Sequence, residues 1–269
     1  MLSDITFGQY YPTSSFVHKM DSRIKLLLLI AYIVLIFVVK NFYGFLVVYG
    51  MLLIATLFSK VPISSLIKSA KAVVFIILLT FILNIFFYKT NNPTYLFWII
   101  TKEALVFSTF MALRLLSLVF FSMLLNLTTT PVALTDGIES LLKPLKAIKF
   151  PVHELALVMS IALRFIPILM SEADRIIMAQ KARGADFDSG NIFKRAKSML
   201  PVLIPLLISS FRRAEELGDA MDSRCYSSSS KRTKFRKLKT SWRDLVGVLV
   251  TAVCAVGVIL LNFYVGGIV

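Results

Sequence analysis

Apolar positions along this chain gather into long unbroken blocks instead of alternating with polar ones. Four such blocks come first, at about Leu26 to Val39, Phe42 to Phe58, Val73 to Tyr88 and Ala104 to Leu127. A fifth runs from Leu245 to Val265 without a single charge. A helix needs about 20 residues to cross a hydrocarbon layer of ~30 Å, so the last two blocks predict full membrane spans. The first three are shorter and are expected to borrow flanking residues or to thin the bilayer locally.

The stretch between the fourth and fifth blocks has a different pattern. Leu155 to Met170 and Met199 to Phe211 are apolar but only about 16 and 13 residues long. They contain Arg164 with Pro167, and Pro201 with Pro205. Read at helical spacing, apolar or small residues recur at Leu155, Val158, Ala162, Phe165, Leu169, Ala173 and Ile176. A second stripe runs through Ile192, Ala196, Met199, Leu203, Leu206, Ser210, Ala214, Leu217 and Met221. Steps of three and four keep each set on one helix face, which predicts two long amphipathic helices, each bent but not ended by its prolines. At ~1.5 Å per residue each is roughly 45 Å long. A shorter amphipathic helix is expected to open after Pro131, to run through Ile138, Leu141 and Leu142 to Lys149, and to stop at Pro151.

Charge supplies the orientation. Lys19, Arg23 and Lys25 precede or open the first block, and Lys60, Lys68 and Lys71 separate the second from the third. The alternate loops hold Lys40 in one case and Lys89 and Lys102 in the other. Basic residues favour the cytoplasmic side, so the N-terminus and the 128–243 segment are expected inside and the C-terminus outside. Making 155–211 a membrane hairpin would export Lys181, Arg183, Lys194, Arg195 and Lys197, against that rule. The expected fold is therefore an all-α membrane protein of about five transmembrane helices plus a cytoplasmic coupling domain of one short and two long amphipathic helices. Its divisions are an N-terminal membrane domain at 1–128, a cytoplasmic coupling-helix domain at 129–240 and a C-terminal transmembrane helix at 241–269.

Of the 269 residues 57% are hydrophobic, and 30 Lys+Arg stand against 15 Asp+Glu. A net charge of +15 raises nucleic-acid binding as an option. No aromatic-studded basic module accompanies the charge, and the positive-inside rule accounts for it, so no nucleic-acid partner is expected. Residues Ser227 to Ser230 followed by six basic residues between Lys231 and Lys239 predict a flexible turn and then a strip held against anionic headgroups. The two cysteines, Cys225 and Cys254, do not suggest a disulfide framework. The polar N-terminal two dozen residues lack a short apolar core with a cleavage site, so the first span is expected to stay as an anchor.

Two arginines between small residues remain: Ala182-Arg183-Gly184 and Ser223-Arg224-Cys225. Each falls at or near the C-terminal end of a long amphipathic helix. A cation there complements the helix dipole by a few tenths to about 1 kcal/mol, which is sufficient reason for one such residue. Its repetition at two successive helix ends suggests more. Small neighbours let a partner surface approach closely, and a guanidinium offers a planar fork to a carboxylate. Arg114 inside the fourth block and Arg164 on the first long helix are possible structural charges, the former snorkelling or bonding a backbone carbonyl. Arg212 is expected to pair with Glu215 or Glu216, and Arg213 with Glu216, one turn on. Gly247, Thr251 and Ala255 offer a close helix contact. His18 and His153 are isolated, no metal-ligand spacing occurs, and no glycine-rich phosphate loop is present, so neither metal nor cofactor nor ATP hydrolysis is expected of this chain.

The run Ala162-Leu163-Arg164-Phe165-Ile166-Pro167 with Glu172-Ala173-Asp174 and Ala179 to Ala185 resembles the transmembrane T component of energy-coupling factor transporters. So do Phe211-Arg212-Arg213-Ala214 to Met221, Thr129-Thr130-Pro131 and Asp136-Gly137, and the likeness extends from about Ser22 to Trp242. The resemblance implies two crossed coupling helices, each with a central arginine that docks in a groove of one of two ABC-type ATPases. Those arginines correspond here to Arg183 and Arg224. It also implies a membrane-embedded S component that binds the substrate, typically a vitamin or a transition-metal ion, and a place in the bacterial cell membrane. Ser223-Arg224-Cys225 departs from the usual Ala-Arg-Gly, because Cys225 replaces the residue best suited to positive φ. Two other classes compete with this reading. A self-contained secondary transporter needs intramembrane carboxylates or a polar midplane site, and a membrane enzyme needs a clustered nucleophile, base or metal set. Neither pattern occurs, the spans offering little beyond Arg114 and Asn84.

Overall fold

The computed structural model describes residues 10–87, 95–97, 100–148, 150–187, 191, 193, 197–226 and 240–265. Its helices are α1 (Ser22–Val38), α2 (Phe42–Ser59), α3 (Ile63–Phe87), α4 (Lys102–Thr128), α5 (Pro131–Leu142), α6 (Val152–Ala182), α7 (Leu200–Asp222) and α8 (Trp242–Val265). A 3₁₀ turn, Lys143–Ile148, follows α5. A short antiparallel ladder of β1 (Tyr95–Phe97) and β2 (Ile100–Thr101) precedes α4. The protein is an all-α membrane protein. By length and composition α2, α4, α6 and α8 are each long and apolar enough to cross a membrane. Helix α1 has 17 residues, and the apolar part of α3 is confined to Val73–Phe87.

The chain divides into two compact units, one containing residues 8–141 and 238–269, the other residues 142–237. In the first, α3 packs chiefly on α4, while α8 returns from the far end of the sequence to pack on α1 and α2. Tyr32, Ile36, Val39, Phe45, Val48, Phe110 and Val258 form its core, all but completely buried. The outer faces of the same helices show Ile30, Val34, Phe37, Leu46, Leu57 and Phe75, each at least half exposed. A surface so apolar is stable only where the surroundings are hydrocarbon.

Helix ends follow local chemistry. The Asp21 carboxylate caps α1 by accepting from the Arg23 N–H at 3.0 Å, so the helix begins four residues before the apolar block does. Thr101 caps α4 in the same way, accepting from the Ala104 N–H at 3.2 Å. Helix α3 starts ten residues ahead of its apolar block, so Lys68 and Lys71 lie within a helix instead of the expected loop. The expected helix from Pro131 to Lys149 stops early: α5 ends at Leu142, because Pro144 has no N–H to give and disfavours α geometry in the residue before it. Gly137 faces Ser22, where an added Cβ would lie 3.2 Å from the Ser22 backbone, so α5 comes within backbone distance of the start of α1. Gly247 similarly admits the Met20 methyl, which would sit 2.6 Å from an added Cβ. The serine-rich turn and basic strip expected over 227–239 lie outside the described residues.

Polar groups inside this unit are tied in pairs. The Tyr32 hydroxyl bonds the Ser117 hydroxyl while its ring stacks on Phe121 at 3.9 Å between centroids. The Tyr49 hydroxyl donates to the Leu113 carbonyl at 2.9 Å. At one end of the bundle Asp244, only 2% exposed, accepts from the Asp21 N–H at 2.9 Å and from the Ser241 N–H at 2.7 Å. Beside it the Lys25 ammonium donates to the Thr128 carbonyl at 2.9 Å and to the Thr129 hydroxyl at 3.2 Å, at the C-terminal end of α4. A cation placed there also meets the negative end of the α4 dipole. At the opposite end the Asn262 side chain donates to the Val38 carbonyl at 2.7 Å and accepts from the Lys40 N–H at 3.2 Å. The His18 ring bonds the Ser15 hydroxyl at 2.7 Å and the Tyr11 carbonyl at 3.0 Å, and burial lowers its pKa from the ordinary value.

Replacing Asp244 by Ala strands the Asp21 and Ser241 amides. A loss of about 1–3 kcal/mol per stranded donor is expected, with Asp244→Asn milder because one acceptor survives. Thermal unfolding followed by size-exclusion chromatography of the detergent-purified chain measures both.

Candidate functional site

The second unit is built on α6 and α7, which pack against one another. Pro167 lies inside α6 and Pro205 inside α7, and both helices continue through them. Pro201 sits in the first turn of α7, where a missing N–H costs nothing. The second arm was expected to start near Ile192. Helix α7 begins at Leu200 after a turn at Met199; Phe193, Lys197 and Ser198 ahead of it are helical, and Ile192 and Ala196 lie outside the described residues.

Both arms end in the same backbone device. At the end of α6 the Ala185 N–H donates to the Gln180 carbonyl at 3.0 Å and the Gly184 N–H to the Lys181 carbonyl at 3.0 Å. At the end of α7 the Tyr226 N–H donates to the Met221 carbonyl at 3.0 Å and the Cys225 N–H to the Asp222 carbonyl at 2.8 Å. These paired six-to-one and five-to-two bonds are a Schellman motif at each tip. The motif requires a left-handed residue, which is Gly184 at φ +86° and Cys225 at φ +54°. Cysteine thus adopts the conformation expected of glycine, and the change from Ala-Arg-Gly leaves the turn intact. In each tip the arginine is the last residue before the left-handed one. Ala182, Arg183, Gly184, Ser223, Arg224 and Cys225 are all exposed, and neither guanidinium has an ion pair among the described residues. Two exposed forks on helix ends, each able to meet a carboxylate, are what this geometry offers chemically.

The sequence reading missed what joins the arms. Arg213 does not pair with Glu216. Its Nη2 and Nε donate to Oε2 of Glu172 on α6 at 2.9 and 3.2 Å, and the Ser209 hydroxyl bonds the other carboxylate oxygen. Helical spacing gave no sign of it, since Glu172 has Arg175 one turn on as a local partner. Each tip arginine stands eleven residues beyond its own helix's half of this pair, Arg183 after Glu172 and Arg224 after Arg213. The two arms therefore reach about equally far past the joint, roughly 16 Å by helical rise.

Covered positions on α7 run through Val202, Leu206, Ser209, Arg213 and Leu217. The expected stripe through Leu203 and Ala214 is displaced, and both of those residues are exposed. Beside the covered line lies a second one, Leu200, Leu203, Ile204, Leu207, Ile208 and Phe211, between 47% and 65% exposed. Of the two possible structural charges, Arg164 is exposed on α6 and has no ion pair among the described residues. Arg114 donates to the Val39 carbonyl at 3.4 Å, with the Phe37 and Phe110 rings within 5.3 Å of its guanidinium carbon. Among the described residues no group of three His, Cys, Asp or Glu side chains is placed to hold a metal ion.

An apolar helix bundle in one unit and a pair of long amphipathic helices in the other are features of a membrane transport component. Residues 13–235 match the family described as cobalt transport protein, CbiQ, and the chain belongs to that family. It is 48% identical over 252 residues to the energy-coupling factor transporter transmembrane protein EcfT of Clostridium kluyveri, covering 93% of each chain. It is 46% identical to the protein of that name in Ruminiclostridium cellulolyticum, covering 98% of this chain and 99% of that one. Against the Bacillus subtilis protein of the same name the identity is 42%, over 94% and 97%.

Two outcomes follow from the site. Cys225→Val puts a β-branched residue in the left-handed region at a cost of about 1–2 kcal/mol, while Cys225→Gly relaxes the turn. Hydrogen exchange at the residue 225 and Tyr226 amides is expected to quicken about 5–30-fold in the valine variant and not in the glycine one. Glu172→Arg is expected to change the angle at which α6 and α7 meet, and adding Arg213→Glu to restore it; the rate at which a disulfide engineered between the two helices near this level forms reports both.

Proposed function

We propose that this chain is the transmembrane energy-coupling subunit of an ECF-type ABC uptake transporter. It links ATP binding and hydrolysis in two partner ATPases to movement of a membrane-embedded S component that carries a vitamin or a transition-metal ion. The relatives named above are energy-coupling factor proteins along nearly their whole length, which supports the assignment. The observation that carries the mechanism is the pair of matched tips: Arg183 and Arg224, each exposed before a left-handed residue, at equal reach beyond one ion pair. Each arginine enters a groove of one ATPase, where an acidic partner takes the guanidinium as a fork. The catalytic work of hydrolysis belongs to those subunits.

In this reading the chain lies in the bacterial cell membrane and crosses it five times, by α1, α2, α3, α4 and α8, with the N-terminus cytoplasmic and the C-terminus external. Helix α6 is apolar enough to span, yet a lone crossing by α6 would put α7 and the basic residues 231–239 opposite the loop that holds Lys60. The positive-inside rule opposes that arrangement, so α6 and α7 stay at the cytoplasmic face. The exposed line from Leu200 to Phe211 then meets the S component, because a stripe of that length needs a cover other than water. Closure of the ATPase pair moves the tips, and the helices convey that displacement to the stripe.

Substituting Arg183 and Arg224 together by Glu is expected to abolish co-purification with the ATPases while the chain still inserts in the membrane. Truncating one partner of a desolvated charge pair costs about 2–5 kcal/mol, so either single substitution is expected to weaken assembly at least 30-fold, on the order of 2 kcal/mol. Undiminished co-purification of the double variant overturns the docking role.

A further inference from the structure

Between α1, α2, α4 and α8 lies a cavity of about 360 Å³, walled by Phe16, Leu28, Met51, Phe121, Leu124 and Val250. Its lining is mostly apolar, and of the few polar groups in it the Lys25 ammonium bonds the Thr128 carbonyl, the Thr128 hydroxyl the Leu124 carbonyl at 2.8 Å and the Thr251 hydroxyl the Gly247 carbonyl at 2.9 Å. A lining with so few polar groups offers water few partners, so its natural filling is hydrocarbon. It also has a side entrance. Helices α2 and α8 touch where an added Cβ on Gly257 would lie 3.9 Å from Val47, while Ile54, Phe58 and Trp242 line the cavity and yet are 45%, 59% and 73% exposed, so the cavity opens on their side. At that entrance the Arg243 guanidinium stands 6.0 Å over the Phe16 ring, half-buried, with no ion pair among the described residues. Trp242 beside it is the residue type that settles at headgroup depth.

We infer that this cleft is a binding site for one anionic phospholipid of the leaflet that borders the N-terminal ends of α1 and α8. One acyl chain enters between α2 and α8 and fills the cavity, and the phosphate is taken by Arg243 as a charge-assisted fork. The inference concerns the first unit alone and stands whether or not the arms dock on ATPases.

The chain has two tryptophans, so Trp98→Phe leaves Trp242 as sole reporter. The full-length variant in nanodiscs is titrated with phosphatidylglycerol or phosphatidylcholine brominated on one acyl chain, and Trp242 fluorescence is read. Phosphatidylglycerol is expected to quench saturably, at a mole fraction about fivefold lower than phosphatidylcholine. Adding Arg243→Gln is expected to erase that difference, and adding Ala55→Phe, which fills the cavity, to remove the saturable part for both lipids. Identical curves for the two lipids, a preference that survives Arg243→Gln, or saturable quenching that survives in a monodisperse Ala55→Phe protein would each overturn the site. Arg243 lies at the entrance, so its variant tests headgroup selection without repacking the bundle.

Discussion

In hydrocarbon a buried backbone or side-chain polar group has no water to fall back on, and the helices of the first unit are arranged around that constraint. Its clearest expression is Asp244. One carboxylate caps its own helix at Ser241 and also accepts from Asp21, 223 positions away in the sequence. The return of α8 to the start of α1 is thereby set by two hydrogen bonds to a charged acceptor, each stronger than a neutral one. Lys25 performs the matching task for α4, satisfying the Thr128 carbonyl that the helix end leaves over. With both ends of α1 tied, by Asp244 at one and Asn262 at the other, apolar packing has only the spacing of the helices left to determine.

The arms obey a different rule, because the polar groups at their tips are exposed. Here a repeated backbone turn matters more than a buried bond. A Schellman motif ends a helix by reversing the chain over two residues, which leaves the arginine before it at the extreme of the arm. The second tip achieves this with cysteine in place of glycine, at a strain of about 1 kcal/mol. Its turn keeps the same two hydrogen bonds as the first, so the turn itself, more than the residue that makes it, is the shared feature.

Much of this was legible in the sequence, and the failures have physical causes. Long apolar blocks marked α2, α4 and α8 to within three residues, since nothing but a membrane or a core accepts such runs. The start of α3 was missed because Lys68 and Lys71 look like loop residues, though a helix tolerates lysines at its end. The stop of α5 was available in Pro144 and was overlooked. Of the candidate site, the arginine tips could be read because small-Arg-small occurs twice. The joint could not: Glu172 and Arg213 are 41 positions apart, and Arg213 has an acid, Glu216, one turn away that satisfies a local rule. Tertiary geometry overrode that local choice, as it did for the covered face of α7.

The joint has a consequence for how force passes along the arms. The side chains of Arg213 and Glu172 are 38% and 23% exposed, so the pair is partly screened by solvent, and a pair of that kind contributes on the order of 1 kcal/mol or less. It is therefore too weak to hold two helices together, and apolar contact must do that. Two parallel N–H donors on one carboxylate oxygen, with Ser209 on the other, nevertheless fix a direction more strictly than apolar contact does. A contact that sets an angle at little energetic cost can yield and re-form as the angle changes. Under the proposed reading, with the two tips at equal reach, displacement of either arginine by its ATPase turns its arm about the same point, and the apolar line on α7 moves with it. A buried, strongly coupled pair would have locked the arms instead, since breaking one costs several kcal/mol. Under that reading, the exposure of Glu172 and Arg213 is what lets the joint turn.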